Sequence, residues 1–257
     1  MKSIYFLSDA HLGCKALSHR RQQERRLVRF LDDIKNKAEA VYLLGDMFDF
    51  WFEYADVVPR GFTRFLGKVS ELTDNGVEVH WFVGNHDMWT TDYLERECGV
   101  IVHREPCLIE IYGSEFYLAH GHTIDIEPSD WRTRLMFRLF QSPMLQRMAR
   151  TIHPHLFINF GLNWAKQSRL KHQAAGGEEP YKGEHDELLV RYAKQYLATH
   201  PTVNYFMFGH RHIELDLMLS HECRLMILGE WYSRFTYARF DGEQLIMDNY
   251  IEGETEV

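Results

Sequence analysis

The sequence predicts an α/β protein, and three observations carry that prediction. Runs of apolar and β-branched residues at 4–7, 40–44, 77–83 and 204–208 have the length and composition of covered strands. Residues 18–36, 62–73 and 184–198 read as helices between them. Each strand run gives way to a polar group: Ser8-Asp9-Ala10-His11, Gly45-Asp46, Gly84-Asn85-His86-Asp87 and Gly209-His210-Arg211-His212. In an open α/β sheet, the carboxyl ends of strands are where sites are built.

Ile4-Tyr5-Phe6-Leu7 predicts the first strand. Asp9 and His11 follow two apart, so in an extended segment their side chains point the same way; a surface turn is the alternative. In the helix at 18–36, Leu27, Phe30, Leu31 and Ile34 form the buried stripe. Arg20, Arg21, Arg25, Arg26 and Arg29 form its solvated face, open to an anionic ligand. Ala40-Val41-Tyr42-Leu43-Leu44 stops on Gly45 and presents Asp46, either a metal ligand or a turn aspartate. The aromatics Phe50, Trp51, Phe52 and Tyr54 suit core packing or a loop over a site.

Asn75-Gly76 stops the helix at 62–73, and the strand at 77–83 ends on Gly84. A short helix near 92–97 precedes alternating segments at 108–111 and 116–119, joined by a turn at Gly113-Ser114. The second of these ends in His120-Gly121-His122. The helix at 184–198 feeds the strand at 204–208. Residues 224–228, 235–240 and 245–251 read as antiparallel strands, with Asp241-Gly242 as a hairpin turn.

With 257 residues, 45% of them hydrophobic, the chain suits one large domain, 1–257, carrying an insertion. A net charge of -8 disfavours a general nucleic-acid binder. Four scattered cysteines with no Cys-x-x-Cys pair suit a reduced, cytoplasmic compartment. Ile4-Tyr5-Phe6-Leu7 is too short for a signal-peptide core, and no apolar run is long enough to span a bilayer. These features predict a soluble or peripheral protein.

The insertion is residues 124–172. Trp131, Leu135, Met136, Leu139 and Phe140 give one helical stripe. Ser142-Pro143 caps and starts another helix, continued by Leu145, Met148, Ala149 and Ile152. The insertion carries a net charge of +5, against -13 for the rest of the chain. Two ordinary amphipathic helices would satisfy the periodicity. The charge contrast and the surplus of apolar residues point instead to a lid over an anionic, lipid-like substrate.

Asp9, His11, Asp46, Asn85, His120, His210 and His212 collect at strand ends. A mixed set of carboxylates, imidazoles and one amide oxygen suits Mn²⁺, Fe or Zn²⁺, with Mg²⁺ disfavoured by the imidazoles. Seven ligands are too many for one such ion and fit two that share a bridging carboxylate, for which Asp46 is the natural choice. Two ions about 3.5–4 Å apart activate a bridging water and clamp a phosphoryl group.

Asp9-x-His11, Gly45-Asp46-x-x-Asp49, Gly84-Asn85-His86-Asp87, His120 and Gly209-His210-x-His212 follow one another in the order of the calcineurin-like metallophosphoesterase family, which the chain resembles. The resemblance implies a four-layer αββα sandwich of two mixed sheets. It puts Asp9, His11, Asp46 and His212 on one metal ion, and Asp46, Asn85, His120 and His210 on the other, with Mn²⁺ the first choice of metal. It sets His86 beside the substrate phosphate, with Asp49 holding its ring. Many members carry aspartate after the His-Gly pair, where this chain has His122.

The aromatic stretch at 48–54, Asp87-Met88-Trp89, His153-Pro154 and the run at 164–169 resemble the branch of that family acting in lipid A biosynthesis, in its Bacteroidetes-like form. This implies a nucleotide-linked glycolipid substrate, UDP-2,3-diacylglucosamine, whose diphosphate is hydrolysed to UMP and 2,3-diacylglucosamine 1-phosphate. It also implies peripheral contact with the cytoplasmic face of the inner membrane. Ser168, Lys166, Arg169 and Lys171 are its candidate lid contacts to substrate. A phosphodiesterase or nucleotide hydrolase with another substrate is the alternative, and a non-catalytic scaffold a further one.

Overall fold

A computed structural model describes residues 2–174 and 180–253, without the side chains of residues 168, 169 and 171–174. The chain alternates strand and helix first, as the apolar runs predict. β1 (Ser3–Leu7), β2 (Ala38–Leu43), β3 (Glu78–Phe82) and β4 (Ile101–His103) pair in parallel, linked by α1 (Arg20–Ile34), α2 (Thr63–Asp74) and α3 (Tyr93–Cys98). α1 buries Leu27, Phe30, Leu31 and Ile34, the spacing that predicted it. Burying a Leu or Phe side chain fully stabilises by about 1.5–3 kcal/mol. α2 ends at Asn75, and Gly76 takes a φ of 78°, which glycine adopts freely.

The chain then builds a second sheet from β5 (Cys107–Ile111), β6 (Ser114–Leu118), β7 (Val203–Phe208), β8 (Leu215–Met218) and β9 (Arg224–Ile227), in the order β5-β6-β7-β9-β8. Between β6 and β7 come α4 (Trp131–Phe140), α5 (Pro143–Ala149), α6 (Pro154–Ala174) and α7 (Leu188–Thr199). β10 (Thr236–Phe240) and β11 (Leu245–Asn249) return to the first sheet, giving it the order β11-β10-β1-β2-β3-β4.

Three apolar layers hold this together. α1 and α2 cover one face of the first sheet through Phe30, Phe65, Val69 and Trp81. Phe6, Tyr42, Phe116, Met207 and Phe240 fill the space between the sheets. α7 covers the far face of the second sheet through Leu189, Val190 and Ala193. The result is a four-layer sandwich of two mixed sheets, as expected. Because β1, β2, β3, β6 and β7 are packed this way, their carboxyl ends open on one edge.

Three details differ from the sequence expectation. Residues 224–227 pair in parallel with β7 in the second sheet, and so do not belong with the antiparallel pair β10–β11. β4 and β8 leave no clear signature in the sequence, because one is three residues long and the other is half exposed along its length. Ser142 precedes α5 without a side-chain cap bond; Pro143 starts that helix through its fixed φ.

Candidate metal centre

The strand ends converge through strained turns. Asp9, His11, Asp46, His210 and His212 all have positive φ, between 44° and 68°. L residues rarely adopt this region, and such residues concentrate where structure serves a site. Glycine makes the approach possible. A Cβ on Gly84 would overlap the Asp46 carboxylate, and one on Gly45 would stand 2.6 Å from His120 Nδ1.

The donors come together in overlapping groups. Asp9, His11 and His212 form one, and Asp9, Asp46 and His120 another, their donor atoms all within 4.8 Å of one another. His11 Nε2 and His212 Nε2 face each other at 3.1 Å, and Asp9 Oδ1 lies 3.2 Å from the latter. Ligands about 2.0–2.2 Å from a shared ion have this mutual spacing. His120 Nε2 lies 3.4 Å from Asp46 Oδ2 and 3.3 Å from Asn85 Oδ1. Its Nδ1 donates to the Leu44 carbonyl at 2.7 Å, which fixes the tautomer and leaves Nε2 facing the carboxylate. His210 Nε2 faces Asp125 Oδ2 at 3.6 Å and joins none of these close groups.

The electrostatics fit cations. Burial alone would raise Asp9 and Asp46, but the surrounding imidazoles outweigh it and hold both well below the usual carboxylate range. Burial would lower His120; Asp46 and Asp9 instead push it up to about 9. Asp9 Oδ1 is buried and receives no hydrogen bond. Two ionised carboxylates and converging ring nitrogens, out of reach of bulk water, form a donor set that divalent cations satisfy.

His86 sits at the rim, half-buried, edge-on to His11 with ring centroids 4.8 Å apart. Its ring is held by Asp49, but through the main-chain carbonyl, which accepts from Nδ1 at 2.8 Å. The Asp49 carboxylate also stands 3.7 Å from His11 Nδ1. A carbonyl can only accept, so Nδ1 carries the hydrogen and Nε2 is the nitrogen left for chemistry. The His86 main-chain N–H donates to Asp46 Oδ1 at 2.8 Å. His86 also forms a third close donor group, with His11 and Asp46.

Sequence reasoning did not assign three residues that the structure brings to the site. Asp87 is fully buried and accepts from Gly84 N at 2.7 Å and Met47 N at 3.0 Å, stitching two site loops together. Burial and the Asp46 charge raise it to about 7. Asp125 faces His210, and the Tyr232 hydroxyl meets His212 Nδ1 at 3.1 Å. Asp87 was legible as the last residue of its motif; the other two arrive from loops with no motif. Of the expected lid contacts, Lys166 is exposed on α6, while the side chains of Ser168, Arg169 and Lys171 lie outside the described residues.

Two mixed sheets, strained turns at the strand ends and clustered carboxylates and imidazoles fit a metal-dependent phosphoesterase. The chain matches the calcineurin-like phosphoesterase family over residues 2–214 and belongs to it; that family implies divalent metal ions. It is 42% identical to a UDP-2,3-diacylglucosamine hydrolase of Porphyromonas gingivalis, over 96% of this chain and 97% of that one. It is 26% identical to a UDP-2,3-diacylglucosamine hydrolase of Vibrio vulnificus, over 89% and 90% of the two chains. Among solved structures it is similar to a dimetal phosphatase from Danio rerio, with a TM-score of 0.48 and 13% identity over 96% and 95% of the chains.

Proposed function

We propose that this protein hydrolyses the diphosphate of UDP-2,3-diacylglucosamine to UMP and 2,3-diacylglucosamine 1-phosphate, as the names of its relatives suggest. Asp9, His11, Asp46 and His212 would hold one ion and Asp46, Asn85, His120 and His210 the other, with Mn²⁺ best suited to the donors. Bound there, the pair of ions supplies water activation and charge neutralisation at phosphorus. The chain's own residues do the rest. Asp87 fixes the loops that carry Asp46 and Asn85. His86, its Nδ1 tied to Asp49, presents Nε2 to the phosphoryl group, donating from its imidazolium form to the departing oxygen. Water adds one oxygen to phosphorus, and the anhydride P–O bond breaks.

The observation that carries the choice of substrate is a cleft of about 1290 Å³ that begins at Leu12 and Gly13, directly after His11. Its lining includes the basic side chains of Arg20, Arg21, Arg25 and Arg60. The same lining includes the apolar Phe50, Val57, Val58, Ile158 and Leu162, the last two from α6. A diphosphate joined to acyl chains suits a lining of both kinds. Arg20, Arg21 and Arg25 come from α1, whose arginines the sequence gives as a solvated face open to an anionic ligand. Residues 124–172 would act as the lid. Incubating the Mn²⁺-loaded protein with UDP-2,3-diacylglucosamine should release UMP. No release, with brisk cleavage of a generic phosphodiester, would sink the glycolipid assignment and keep the phosphoesterase.

Peripheral membrane contact from the cytoplasmic side belongs to the same proposal. Trp131, Leu139, Met144, Met148, Leu156 and Phe160 are exposed on the three helices, among Arg132, Arg138 and Arg147. No helix of the described residues is long and apolar enough to cross a membrane. An exposed apolar face edged with arginine suits anionic bilayers. Trp131→Ser with Met144→Ser should weaken sedimentation with anionic vesicles and leave cleavage of a soluble phosphodiester unchanged. Equal sedimentation of variant and parent would move the contact elsewhere.

A further inference from the structure

The turn that follows β9 reaches the centre at two points, although no part of it belongs to a ligand motif. Glu230 is fully buried. Its carboxylate accepts from the main-chain N–H groups of Tyr232 at 2.7 Å, Ser233 at 2.8 Å and Arg234 at 3.1 Å. The Ser233 hydroxyl donates to the same carboxylate. Bonds from several donors offset the cost of burying that charge, and they wind residues 230–234 around it. The Glu230 carbonyl closes the turn by accepting from Phe235 N at 2.9 Å. Trp231 joins the turn to the strand ends, its main-chain N–H donating to the Asp9 carbonyl at 3.2 Å. The Trp231 ring is fully buried against Phe30 of α1, with centroids 4.9 Å apart. Tyr232 therefore leaves a backbone pinned on both sides, and its hydroxyl lies 3.1 Å from His212 Nδ1. Its ring stands edge-on to His212 and to His11, at 5.9 Å and 6.4 Å between centroids.

We infer that Tyr232 is a positioning residue for His212. Its hydroxyl accepts from Nδ1–H, fixes the tautomer and aims Nε2 at the ion that Asp9, His11 and His212 would hold. The inference rests on the metal-dependent phosphoesterase reading and extends it. Nε2 of His212 faces the other donors, 3.2 Å from Asp9 Oδ1 and 3.1 Å from His11 Nε2. A ring nitrogen that binds a metal ion carries no hydrogen, so the one hydrogen of the neutral ring sits on Nδ1. A phenol oxygen can donate or accept, and opposite Nδ1–H only acceptance fits. His120 is arranged the same way, its Nδ1 donating to the Leu44 carbonyl while Nε2 faces Asp46. An outer partner of this kind holds the ring's orientation and raises its basicity as a ligand. The His212 side chain is 19% exposed, against 1% for His120. Packing therefore holds the His212 ring less firmly, and its orientation depends more on the hydrogen bond to Tyr232.

The test is Mn²⁺ affinity, read by competition with a chelator, for the parent and Tyr232→Phe. Phenylalanine keeps the ring edge-on to both imidazoles and deletes only the acceptor. One of the two ions should bind about 10–100-fold more weakly in the variant, and the other as it does in the parent. Excess Mn²⁺ should restore most of kcat for bis(p-nitrophenyl) phosphate, with KM nearly unchanged. The melting temperature of the metal-free protein should not move. A second measurement needs no variant: nitrogen NMR of the Zn²⁺-loaded parent reports which His212 nitrogen carries the hydrogen. Hydrogen on Nδ1 is expected, and hydrogen on Nε2 would overturn the inference. Unchanged affinity for both ions in Tyr232→Phe would overturn it too, leaving the tyrosine as packing. So would equal weakening of both ions, which would place the effect on the fold of the centre rather than on one ring. A parent that binds no Mn²⁺ would remove the metal centre and this inference with it; two ions in the parent and an unmoved variant defeat this inference alone. UMP release from UDP-2,3-diacylglucosamine, assayed on the parent alongside, reports on the glycolipid reading separately, because metal affinity does not depend on which ester is cleaved.

Discussion

The strand-end centre and the helical segment α4–α6 are built on opposite terms. Asp9, His11, Asp46 and His120 are almost completely buried, and three of those four sit in left-handed backbone. They are stitched together by Asp87, Leu44 and Ser8, whose hydroxyl donates to the Leu44 carbonyl at 3.0 Å. α4 and α5 bury no residue, and each presents large apolar groups to solvent. Among the described residues, the segment meets the sandwich through hydrogen bonds and ring contacts, with Phe157 against Phe50, Phe52 and Trp89. Trp89 Nε1 donates to the Phe140 carbonyl at 2.8 Å, and Arg150 Nε to the Glu53 carbonyl at 3.1 Å. Gly161 lies so close on Phe50 that a Cβ there would overlap the ring. Chemistry at two ions requires donor positions held within a fraction of an ångström, which only a packed and strained scaffold supplies. Under the proposed function, selecting a large amphipathic substrate would need area and charge, which the helical segment offers without disturbing that scaffold.

The largest effect should fall on the centre. His86→Ala should slow turnover by about 10²–10⁴ on any phosphoester the protein cleaves. Metal content, read by mass spectrometry, should stay near two ions per chain. His86 shares a close donor group with His11 and Asp46, so the metal measurement is decisive. A variant that lost an ion would make His86 a ligand and blur the line between the holding and the reacting residues.

The attachment of the helical segment should show a smaller and more selective effect. Trp89 packs against Phe50, Phe52, Phe140 and Phe157, and Trp89→Phe keeps a ring there while deleting the bond to Phe140. One such hydrogen bond contributes about 1 kcal/mol. The KM for the glycolipid should rise about fivefold, and hydrolysis of bis(p-nitrophenyl) phosphate should be nearly unaffected. Equal losses on both substrates would show that the segment also positions the centre, through the Trp51 main-chain N–H that donates to the His86 carbonyl at 3.1 Å.

These two regions were also unequally legible in the sequence. The converging donor positions could be read because strand runs and glycines mark where chain direction changes, and because each candidate ligand belongs to a local motif. The place of Asp125, and the atom through which Asp49 holds His86, could not. A residue's side chain and carbonyl point different ways, and only the fold decides which of them meets His86. Asp125 reaches His210 from a turn in which Ile124 N and Asp125 N both donate to the Gly121 carbonyl, a local detail with no periodic signature. In the helical segment, periodicity located the helices, yet Arg20, Arg21 and Arg25 of the cleft come from α1, far away in sequence. Solvent-facing and cleft-facing arginines have the same spacing, so the pattern alone cannot tell them apart.

The smallest predicted effect asks how far the stored cost of the sheet side extends beyond the ligands. His80 on β3 and His103 on β4 share a hydrogen bond of 2.9 Å between Nδ1 and Nε2, with Tyr42 stacked on the first ring and Phe82 on the second. Glu78 Oε2 lies 3.4 Å from His80 Nε2, and Cys107 Sγ 3.7 Å from His103 Nδ1. Burial lowers both imidazoles, His103 to about 4, to which a charge on His80 adds. In the unfolded chain each titrates near 6.5. Between about 6.5 and 4 the unfolded state therefore binds more protons than the folded one, and stability falls as pH falls. Asp87, raised to about 7, acts in the opposite sense over the same interval, so the raw melting curve mixes the two. The difference between parent and His103→Gln isolates the histidine pair. Melting temperatures of the two should run parallel above pH 7, and the parent should lose more than the variant on acidification to pH 4.5. A parallel decline over the whole range would confine the proton-linked cost to the centre itself.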